Sequence, residues 1–309
     1  MNIVLLDKDT LGDINLERLE ALGNFKSYPY TLREDTISRC KDADIVVTNK
    51  VIFDKEIIDA LPKLKMIAIA ATGMNNVDLE YAKEKGIEVK NVSGYSTNSV
   101  VQHTFMLALA LIGKLNYYNR YTKSGKWSES LIFTNLEEAF FEVSGKRWGI
   151  IGLGTIGKEV ARVAKAFGAE VFYYSTNKNP HSNEYTHLEL DKLLSSCDIV
   201  SIHAPLNSNT KDLISKDELA LLKDGAILIN VGRGGIVNEE ALSDEIRSGR
   251  IYAGLDVVSK EPIPKDNPLN SILDSDNFIL TPHIAWGSVE ARKKLLDGIV
   301  KNIREFIDG

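Results

Sequence analysis

Short runs of apolar and β-branched residues alternate with amphipathic stretches along almost the whole chain of 309 residues. The early runs are NIVLLD, DIVVTN, KMIAIAAT and IEVKNV, and a second series contains EVFYYS, DIVSIHAP, GAILINVGRG, IYAGLDV and NFILTPH. Runs that are apolar at nearly every position indicate strands buried on both faces, as in a parallel sheet covered by helices. The alternation therefore predicts an α/β fold built from two series of strands.

Helical patterns fill the spaces between those runs. The longest pattern predicts one helix over 97–121, and shorter patterns predict helices at 155–167, 188–195, 215–222 and 238–248. The chain ends in an amphipathic stretch, SVEARKKLLDGIVKNIREFIDG, that has no strand of its own. We therefore expect the last helix to return to the first domain, which makes that domain discontinuous.

Composition and charge exclude several classes of protein. The net charge is −6 and no block is rich in Lys and Arg, which argues against a nucleic-acid partner. The longest apolar run, FMLALALIG, is too short to span a bilayer, and the N-terminus lacks the features of a signal peptide. Two cysteines are too few for a disulfide framework, and no His or Cys pair has metal-ligand spacing. His103, inside the long helix, and His203, at a strand end, are interpreted as structural. We expect a cytoplasmic protein without a metal ion or a membrane partner.

The segment GLGTIG places Gly152, Gly154 and Gly157 in the G-x-G-x-x-G pattern of dinucleotide-binding turns. The pattern follows a buried strand and opens a helix, which is the context that this motif requires. Gly152 permits the tight turn, Gly154 lets the backbone approach a pyrophosphate, and Gly157 lets the helix pack closely on the strand. Because a helix N-terminus favours phosphate charge, the turn predicts a bound dinucleotide.

The residues at the end of the next strand determine whether a dinucleotide-binding domain prefers NAD or NADP. An Asp or Glu there usually holds the ribose 2′-hydroxyl and repels a 2′-phosphate. This chain has Ser175, Thr176, Asn177 and Lys178 at that place and no acid. Ser175 and Thr176 can bond a hydroxyl, and Lys178 can meet a phosphate. We therefore predict NAD as the cofactor and leave NADP open.

Three further motifs follow strands of the second series. NVGRGG presents Arg233, GLDVVSKEP presents Asp256 and Glu261, and LTPH presents His283. Since ligands of open α/β sheets bind at the carboxyl ends of the strands, the Arg, the Glu and the His are expected to point towards one cleft.

The chain resembles the D-isomer-specific 2-hydroxyacid dehydrogenase family over essentially its whole length. The resemblance rests on AATGMNNVD, GLGTIG, VSIHAPLNSNTKDLI, LINVGRGGIVNEEAL, AGLDV with the following EP, and TPHIA. Within the family, the chain is most similar to the glycerate dehydrogenases, or hydroxypyruvate reductases. The resemblance implies an oxidoreductase that transfers hydride reversibly between NAD(P)H and a small 2-keto acid, with hydroxypyruvate and D-glycerate as the first expectation.

The residue types suit that reaction. Arg233 offers a planar fork for the carboxylate and carbonyl oxygens of the keto acid. His283, as imidazolium, can give a proton to the carbonyl oxygen, and the neutral ring can act as the base in the reverse direction. Glu261 is then placed to hydrogen-bond His283 and to fix its orientation.

The resemblance also implies contacts with the cofactor and the substrate. The implied cofactor contacts are Thr155 and Ile156 at the pyrophosphate turn, Ala204 and Pro205 beside the adenine, Val231, Gly232 and Asp256 beside the nicotinamide, and Thr104, expected to face out of the long helix. The implied substrate contacts are Thr72, Gly73 and Met74, whose loop can offer N–H groups to the carboxylate, together with Lys50 and Arg233.

We therefore predict two Rossmann-like parallel-sheet domains, one flavodoxin-like and one dinucleotide-binding, with a cleft between them. The substrate and catalytic domain is expected at 1–97 plus 286–309, and the NAD(P)-binding domain at 98–285. The apolar segment LIFTNLEEAFF predicts a homodimer formed through the nucleotide-binding domain. Two alternatives stay open: a reductase of the D-lactate type or of other 2-keto acids, and an NAD(H)-sensing protein that resembles a corepressor.

Overall fold

The computed structural model of the chain describes residues 1–177, 179 and 182–309. The strands are β1 (Asn2–Leu5), β2 (Asn24–Ser27), β3 (Ile45–Thr48), β4 (Met66–Ile69), β5 (Glu88–Lys90), β6 (Arg147–Ile151), β7 (Glu170–Tyr174), β8 (Thr186–His187), β9 (Ile199–Ile202), β10 (Ile227–Asn230), β11 (Tyr252–Leu255) and β12 (Phe278–Leu280). The α-helices are α1 (Glu17–Glu20), α2 (Arg33–Cys40), α3 (Lys55–Asp59), α4 (Leu79–Glu84), α5 (Thr97–Ile112), α6 (Leu115–Lys123), α7 (Thr155–Ala166), α8 (Leu190–Ser196), α9 (Lys216–Leu221), α10 (Glu239–Arg247) and α11 (Val289–Asp308). Short 3₁₀ helices lie at Lys8–Leu11 and Pro268–Ile272.

The chain separates into two compact units. The first unit comprises Met1–Ser96 and Gly287–Gly309, and the second comprises Thr97–Trp286. No helix in the described part of either unit is long and apolar enough to cross a membrane.

The first unit contains a parallel sheet with the strand order β2-β1-β3-β4-β5. This is the order of flavodoxin-like sheets. The central strands β3 and β4 are buried at every position, which explains their continuous apolar sequence. The edge strand β2 is mostly exposed and has the polar sequence NFKS, so hydrophobic patterning did not reveal it. The last helix, α11, contacts β4 and α1 of the same unit.

The second unit contains a parallel sheet with the order β12-β11-β10-β9-β6-β7-β8. Read from β6, this is the strand order of dinucleotide-binding folds extended by one strand. The direction of winding reverses between β6 and β9, which pair in register Ile151↔Ile202. A ligand of such a sheet binds at this switch point, beyond the carboxyl ends of the strands. The prediction of two parallel-sheet α/β domains is confirmed.

The predicted helix over 97–121 is wrong in one respect, because two helices occupy that range. Lys114, between α5 and α6, has the left-handed backbone angle φ 52°. A residue in that conformation interrupts a right-handed helix. The buried Lys114 places Nζ 3.3 Å from the ring centroid of Tyr252, a cation–π contact that a periodicity of apolar residues does not report.

Candidate active site

The glycine turn after β6 has the geometry that its sequence predicts. Gly152 has φ +93°, a conformation that a side chain would strain, and a Cβ on Gly157 would lie 2.2 Å from the Gly152 carbonyl oxygen. A Cβ on Gly154, by contrast, would meet nothing within 4 Å. Protein atoms therefore fill the space beside Gly152 and Gly157, whereas the space beside Gly154 is open to a ligand.

Helix α7 begins at that open space. Thr155 at its first position is exposed, and Ile156 packs partly against the core of the unit. The first N–H groups of a helix have no acceptor within the helix, and the first turn of α7 carries no acidic residue. The turn fits the pyrophosphate of a dinucleotide because it combines free N–H groups, a favourable dipole and an open approach.

The loop after β9 lies directly against the glycine turn. A Cβ on Gly152 would come within 3.0 Å of the Ala204 backbone. Ala204 is buried, whereas Pro205 is exposed and its carbonyl accepts a hydrogen bond from Thr210 Oγ1 at 2.6 Å. The structure therefore brings these two predicted cofactor residues to the switch point.

The predicted ribose position is occupied by a hydroxyl that is engaged in its own loop. Ser175 is buried, and its Oγ lies 2.6 Å from Asn177 Oδ1 and 2.9 Å from the Asn179 carbonyl oxygen. Thr176 is half-buried, and Lys178 lies outside the described residues. Because the single hydroxyl hydrogen of Ser175 is donated within the loop, Ser175 can accept a hydrogen bond from a ribose hydroxyl, whereas donating one requires it to give up a loop contact.

The loop after β10, which carries Arg233, is held by a residue that the sequence did not single out. Buried Asn230 accepts a hydrogen bond from Gly232 N at 3.0 Å and donates one to the Arg233 carbonyl at 2.9 Å. Arg233 Nη1 donates to the Gly232 carbonyl at 2.8 Å, and Val231 is buried. The signal for Asn230 was available, because a polar residue ends an otherwise apolar strand.

The loops after β11 and β12 bring Glu261 and His283 into direct contact. His283 Nδ1 lies 2.6 Å from Glu261 Oε2, and the two side chains are 25% and 31% exposed. The second oxygen, Glu261 Oε1, accepts a hydrogen bond from Val258 N at 3.3 Å. Since β10, β11 and β12 are neighbours in the parallel sheet, Arg233 is carried on the adjacent loop at the same edge.

Asp256 was predicted beside the nicotinamide, but its carboxylate is 1% exposed and is bonded to protein through both oxygens. Oδ1 accepts from Thr281 Oγ1 at 2.5 Å and from Ile284 N at 2.9 Å, and Oδ2 accepts from Ala285 N at 2.8 Å. Burial raises the pKa of Asp256, but hydrogen bonds from His103, Thr281 and the backbone outweigh it and leave the pKa below its ordinary value. Asp256 therefore supports the turn that carries His283.

The prediction that Thr104 faces out of the long helix is wrong. Thr104 is fully buried, and its Oγ1 donates to the Val100 carbonyl at 2.8 Å. A threonine in a helix commonly satisfies its hydroxyl in this way when its side chain lies in a core. Thr104 is thus packed inside the unit and does not present its hydroxyl to a ligand.

In the first unit, the loop that carries Lys50 is held by a buried aspartate. Asp7 accepts hydrogen bonds from Asn49 N at 2.9 Å and from Lys50 N at 2.7 Å. Burial raises the pKa of Asp7 above its ordinary value, and the hydrogen bonds from the backbone only partly oppose this. The Lys50 side chain is exposed.

The loop with the remaining substrate candidates follows β4. Thr72 is exposed and its carbonyl accepts a hydrogen bond from Asn91 Nδ2 at 2.6 Å. Gly73 and Met74 are half-buried, and the Met74 carbonyl accepts from Val77 N at 3.1 Å. The role of Lys50 and of this loop in substrate binding stays a prediction.

Comparison with known proteins adds to this geometry. Residues 105–285 match the family model described as D-isomer specific 2-hydroxyacid dehydrogenase, NAD binding domain. A hydroxypyruvate reductase of Blautia hydrogenotrophica is 41% identical over 317 aligned positions, which cover 100% of this chain and 98% of that protein. The D-lactate dehydrogenase of Aquifex aeolicus, solved with NAD and lactic acid, superposes with a TM-score of 0.87 at 27% identity and covers 100% of this chain and 96% of its own. An acyclic imino acid reductase solved with NADPH and D-Arg superposes with a TM-score of 0.88 at 29% identity, with coverage of 100% and 97%.

Proposed function

Because this chain belongs to the D-isomer-specific 2-hydroxyacid dehydrogenase family, we propose that it reduces hydroxypyruvate to D-glycerate reversibly. The substrate is inferred from the similarity over the full chain to a hydroxypyruvate reductase. When bound, the nicotinamide dinucleotide supplies the hydride for the keto carbon. The protein's own residues bind the substrate, orient it and supply the proton.

The contact between His283 and Glu261 is the observation that carries the proposal. With Nδ1 held by Glu261 at 2.6 Å, His283 exchanges its proton with the substrate through Nε2. The imidazolium donates that proton to the carbonyl oxygen during reduction, and the neutral ring accepts it during oxidation. Glu261 keeps the ring in one orientation throughout, as the acid partner of a catalytic histidine does.

Arg233 completes the site on the neighbouring loop. We propose that its guanidinium binds the carboxylate of the keto acid through two parallel hydrogen bonds, which orients the carbonyl towards His283. Asn230 keeps the Arg233 backbone in place through its bonds to Gly232 and to the Arg233 carbonyl. Lys50 and the Thr72–Met74 loop are proposed as further substrate contacts.

The cofactor is an NAD-type dinucleotide at the glycine turn, and we propose a preference for NADH over NADPH. The proposal rests on the sequence from Ser175 to Lys178, which contains no arginine to hold a 2′-phosphate, although Lys178 can meet one. No acid in the same short stretch repels a 2′-phosphate, so the preference is expected to be modest.

We further propose a cytoplasmic homodimer that forms through the second unit. The segment after α6 exposes large apolar side chains, and Leu131, Phe133 and Leu136 are 102%, 89% and 72% exposed. A patch of this kind usually covers a partner protein. Both cysteines are free and buried, which suits a reducing compartment. Sedimentation velocity measures the dimer; a monomer at micromolar concentration would contradict it.

Steady-state kinetics with hydroxypyruvate, glyoxylate, pyruvate and longer 2-keto acids, each with NADH and with NADPH, tests the proposal. We expect the highest kcat/KM with hydroxypyruvate and NADH. His283→Ala should lower kcat by about 100- to 10,000-fold, the usual contribution of a general acid, while the affinity for NADH changes little. Near-normal turnover of that variant would remove His283 as the proton donor, and no turnover of the wild type with any keto acid would remove the function.

A further inference from the structure

Helix α5 is linked to the turn that carries His283 by a buried chain of hydrogen bonds. His103 Nε2 lies 2.8 Å from Thr281 Oγ1, and Thr281 Oγ1 lies 2.5 Å from Asp256 Oδ1. We propose that His103 is a positioning residue that, through Thr281 and Asp256, holds His283 in the geometry for proton transfer. This inference rests on the proposed role of His283.

The number of hydrogens available determines which group donates and which accepts in each of these hydrogen bonds. The Asp256 carboxylate can only accept, so the single hydroxyl hydrogen of Thr281 is donated to Asp256 Oδ1. His103 Nε2 must then carry a hydrogen and donate it to Thr281 Oγ1. The other tautomer would place an acceptor nitrogen against an oxygen whose hydrogen is already used. The same Nε2 also lies 3.4 Å from Asp256 Oδ1, so the donor faces both acceptors.

The turn that this network supports has an unusual backbone. His283 has φ 55°, in the left-handed region that residues other than glycine rarely adopt. Such a conformation persists only where its surroundings enforce it. His283 N donates to the Thr281 carbonyl at 3.0 Å, and the two residues after His283 donate their N–H groups to Asp256. The turn is thus held on both sides of His283.

Helix α5 reaches the same turn at a second point. Ser99 Oγ donates to the Ala285 carbonyl at 2.6 Å. Ser99 and His103 are one helical turn apart, so both lie on the same face of α5. Glu261 fixes the rotation of the His283 ring, whereas Ser99 and His103 anchor the backbone that places the ring. The two kinds of support act on different degrees of freedom.

The test compares variants that remove the donor with variants that restore it. His103→Leu and Thr281→Val break the chain, and His103→Gln and Thr281→Ser keep an N–H or O–H at the same place. We expect the first pair to lower kcat for hydroxypyruvate on the order of 10- to 100-fold, the cost of a small misplacement of a catalytic group. KM and the dissociation constant of NADH should change by less than about threefold, because neither His103 nor Thr281 is a predicted ligand contact. The second pair should recover most of kcat.

Ser201→Ala is the matched control. Ser201 is a fully buried hydroxyl of the same unit that accepts from Trp148 Nε1 at 2.9 Å and lies 3.0 Å from His203 Nε2. This variant should lower the unfolding temperature without changing kcat. If Ser201→Ala lowered kcat as much as His103→Leu at a similar loss of stability, or if both His103→Leu and Thr281→Val kept normal kcat, the positioning role would be wrong.

A crystal structure of His103→Leu supplies a readout that does not depend on turnover. We expect the backbone of His283 to leave the left-handed region in that variant and to keep it in His103→Gln. If the His103→Leu substitution prevents folding, Thr281→Val takes its place in the comparison. An unchanged turn in the broken variants would overturn the inference, whereas an inactive wild type with the expected backbone change would overturn only the proposed function.

Discussion

Each unit buries an aspartate just beyond the carboxyl end of a strand. Each aspartate anchors a loop, but the pKa values of the two carboxyl groups are shifted in opposite directions. Asp7 follows β1 and accepts N–H groups from the loop of Lys50, while Asp256 follows β11 and accepts N–H groups from the turn of His283. In both units, one carboxylate holds a loop that carries a predicted site residue. Both are almost fully buried, yet the pKa of Asp7 is raised and that of Asp256 is lowered.

The side-chain donors contribute to this difference. Asp7 receives a side-chain hydrogen bond from Thr48 at 3.2 Å. Asp256 receives one from Thr281 at 2.5 Å and also faces His103 Nε2. Burial opposes ionisation in both places, and only the second set of donors is strong enough to overcome it. At Asp256, one of these donors, His103, comes from helix α5.

The largest effect should come from Asp256→Asn. The amide replaces an acceptor oxygen by a donor, which leaves a buried N–H of the turn unpaired at a cost of about 1–3 kcal/mol. We expect kcat for hydroxypyruvate to fall about 100-fold because His283 is displaced. Stopped-flow measurement of the hydride-transfer step checks this. A normal rate would show that the His283 turn keeps its conformation without the Asp256 carboxylate.

Asp7→Asn should have a smaller effect on activity. The Asn amide also places a donor against backbone N–H donors. However, the substitution removes a buried charge whose desolvation destabilises the wild type. We expect kcat to change by less than about threefold and KM to rise by no more than about tenfold, if Lys50 contacts the substrate. A loss of kcat equal to that of Asp256→Asn would break the comparison between the two aspartates.

The smallest effect is a difference in how pH acts on stability. The lowered pKa of Asp256 means that its stabilisation is complete above the ordinary value of 3.8 and is lost as the pH falls through its lower folded-state pKa. The raised pKa of Asp7 has the opposite sign: ionised Asp7 destabilises the fold near neutral pH, and the penalty is relieved as the pH falls through its folded-state pKa towards 3.8.

Urea unfolding of the wild type and of the two Asn variants at several pH values isolates each group. The stability of the wild type relative to Asp7→Asn should increase from pH 7 to pH 4. Relative to Asp256→Asn, it should stay constant over that range and decrease below it. If both differences in the free energy of unfolding changed with pH in the same way, the pKa values of the two carboxyl groups would not be shifted in opposite directions.

Much of the fold and the chemistry was predictable. The apolar runs located the strands because strands of a parallel sheet are buried on both faces, and the family prediction is confirmed by the match over residues 105–285. The positions of the glycines followed from their spacing, and the structure shows a positive φ at Gly152 and a close approach of backbone at Gly157. The break at Lys114 was missed because the helical pattern continues through it, whereas the left-handed backbone of Lys114 and its contact with the distant Tyr252 are seen only in the structure.

The sequence by itself determined which chemistry is available: a glycine turn for a dinucleotide, and an Arg, a Glu and a His after neighbouring strands. Those assignments depend on local spacing and on residue type. Only the tertiary structure decided that Asp256 faces inward to anchor a turn, that Thr104 is buried and that His103 reaches that turn from α5. The reason is physical: whether a polar group binds a ligand or a neighbour depends on which donors and acceptors folding brings within about 3 Å of it.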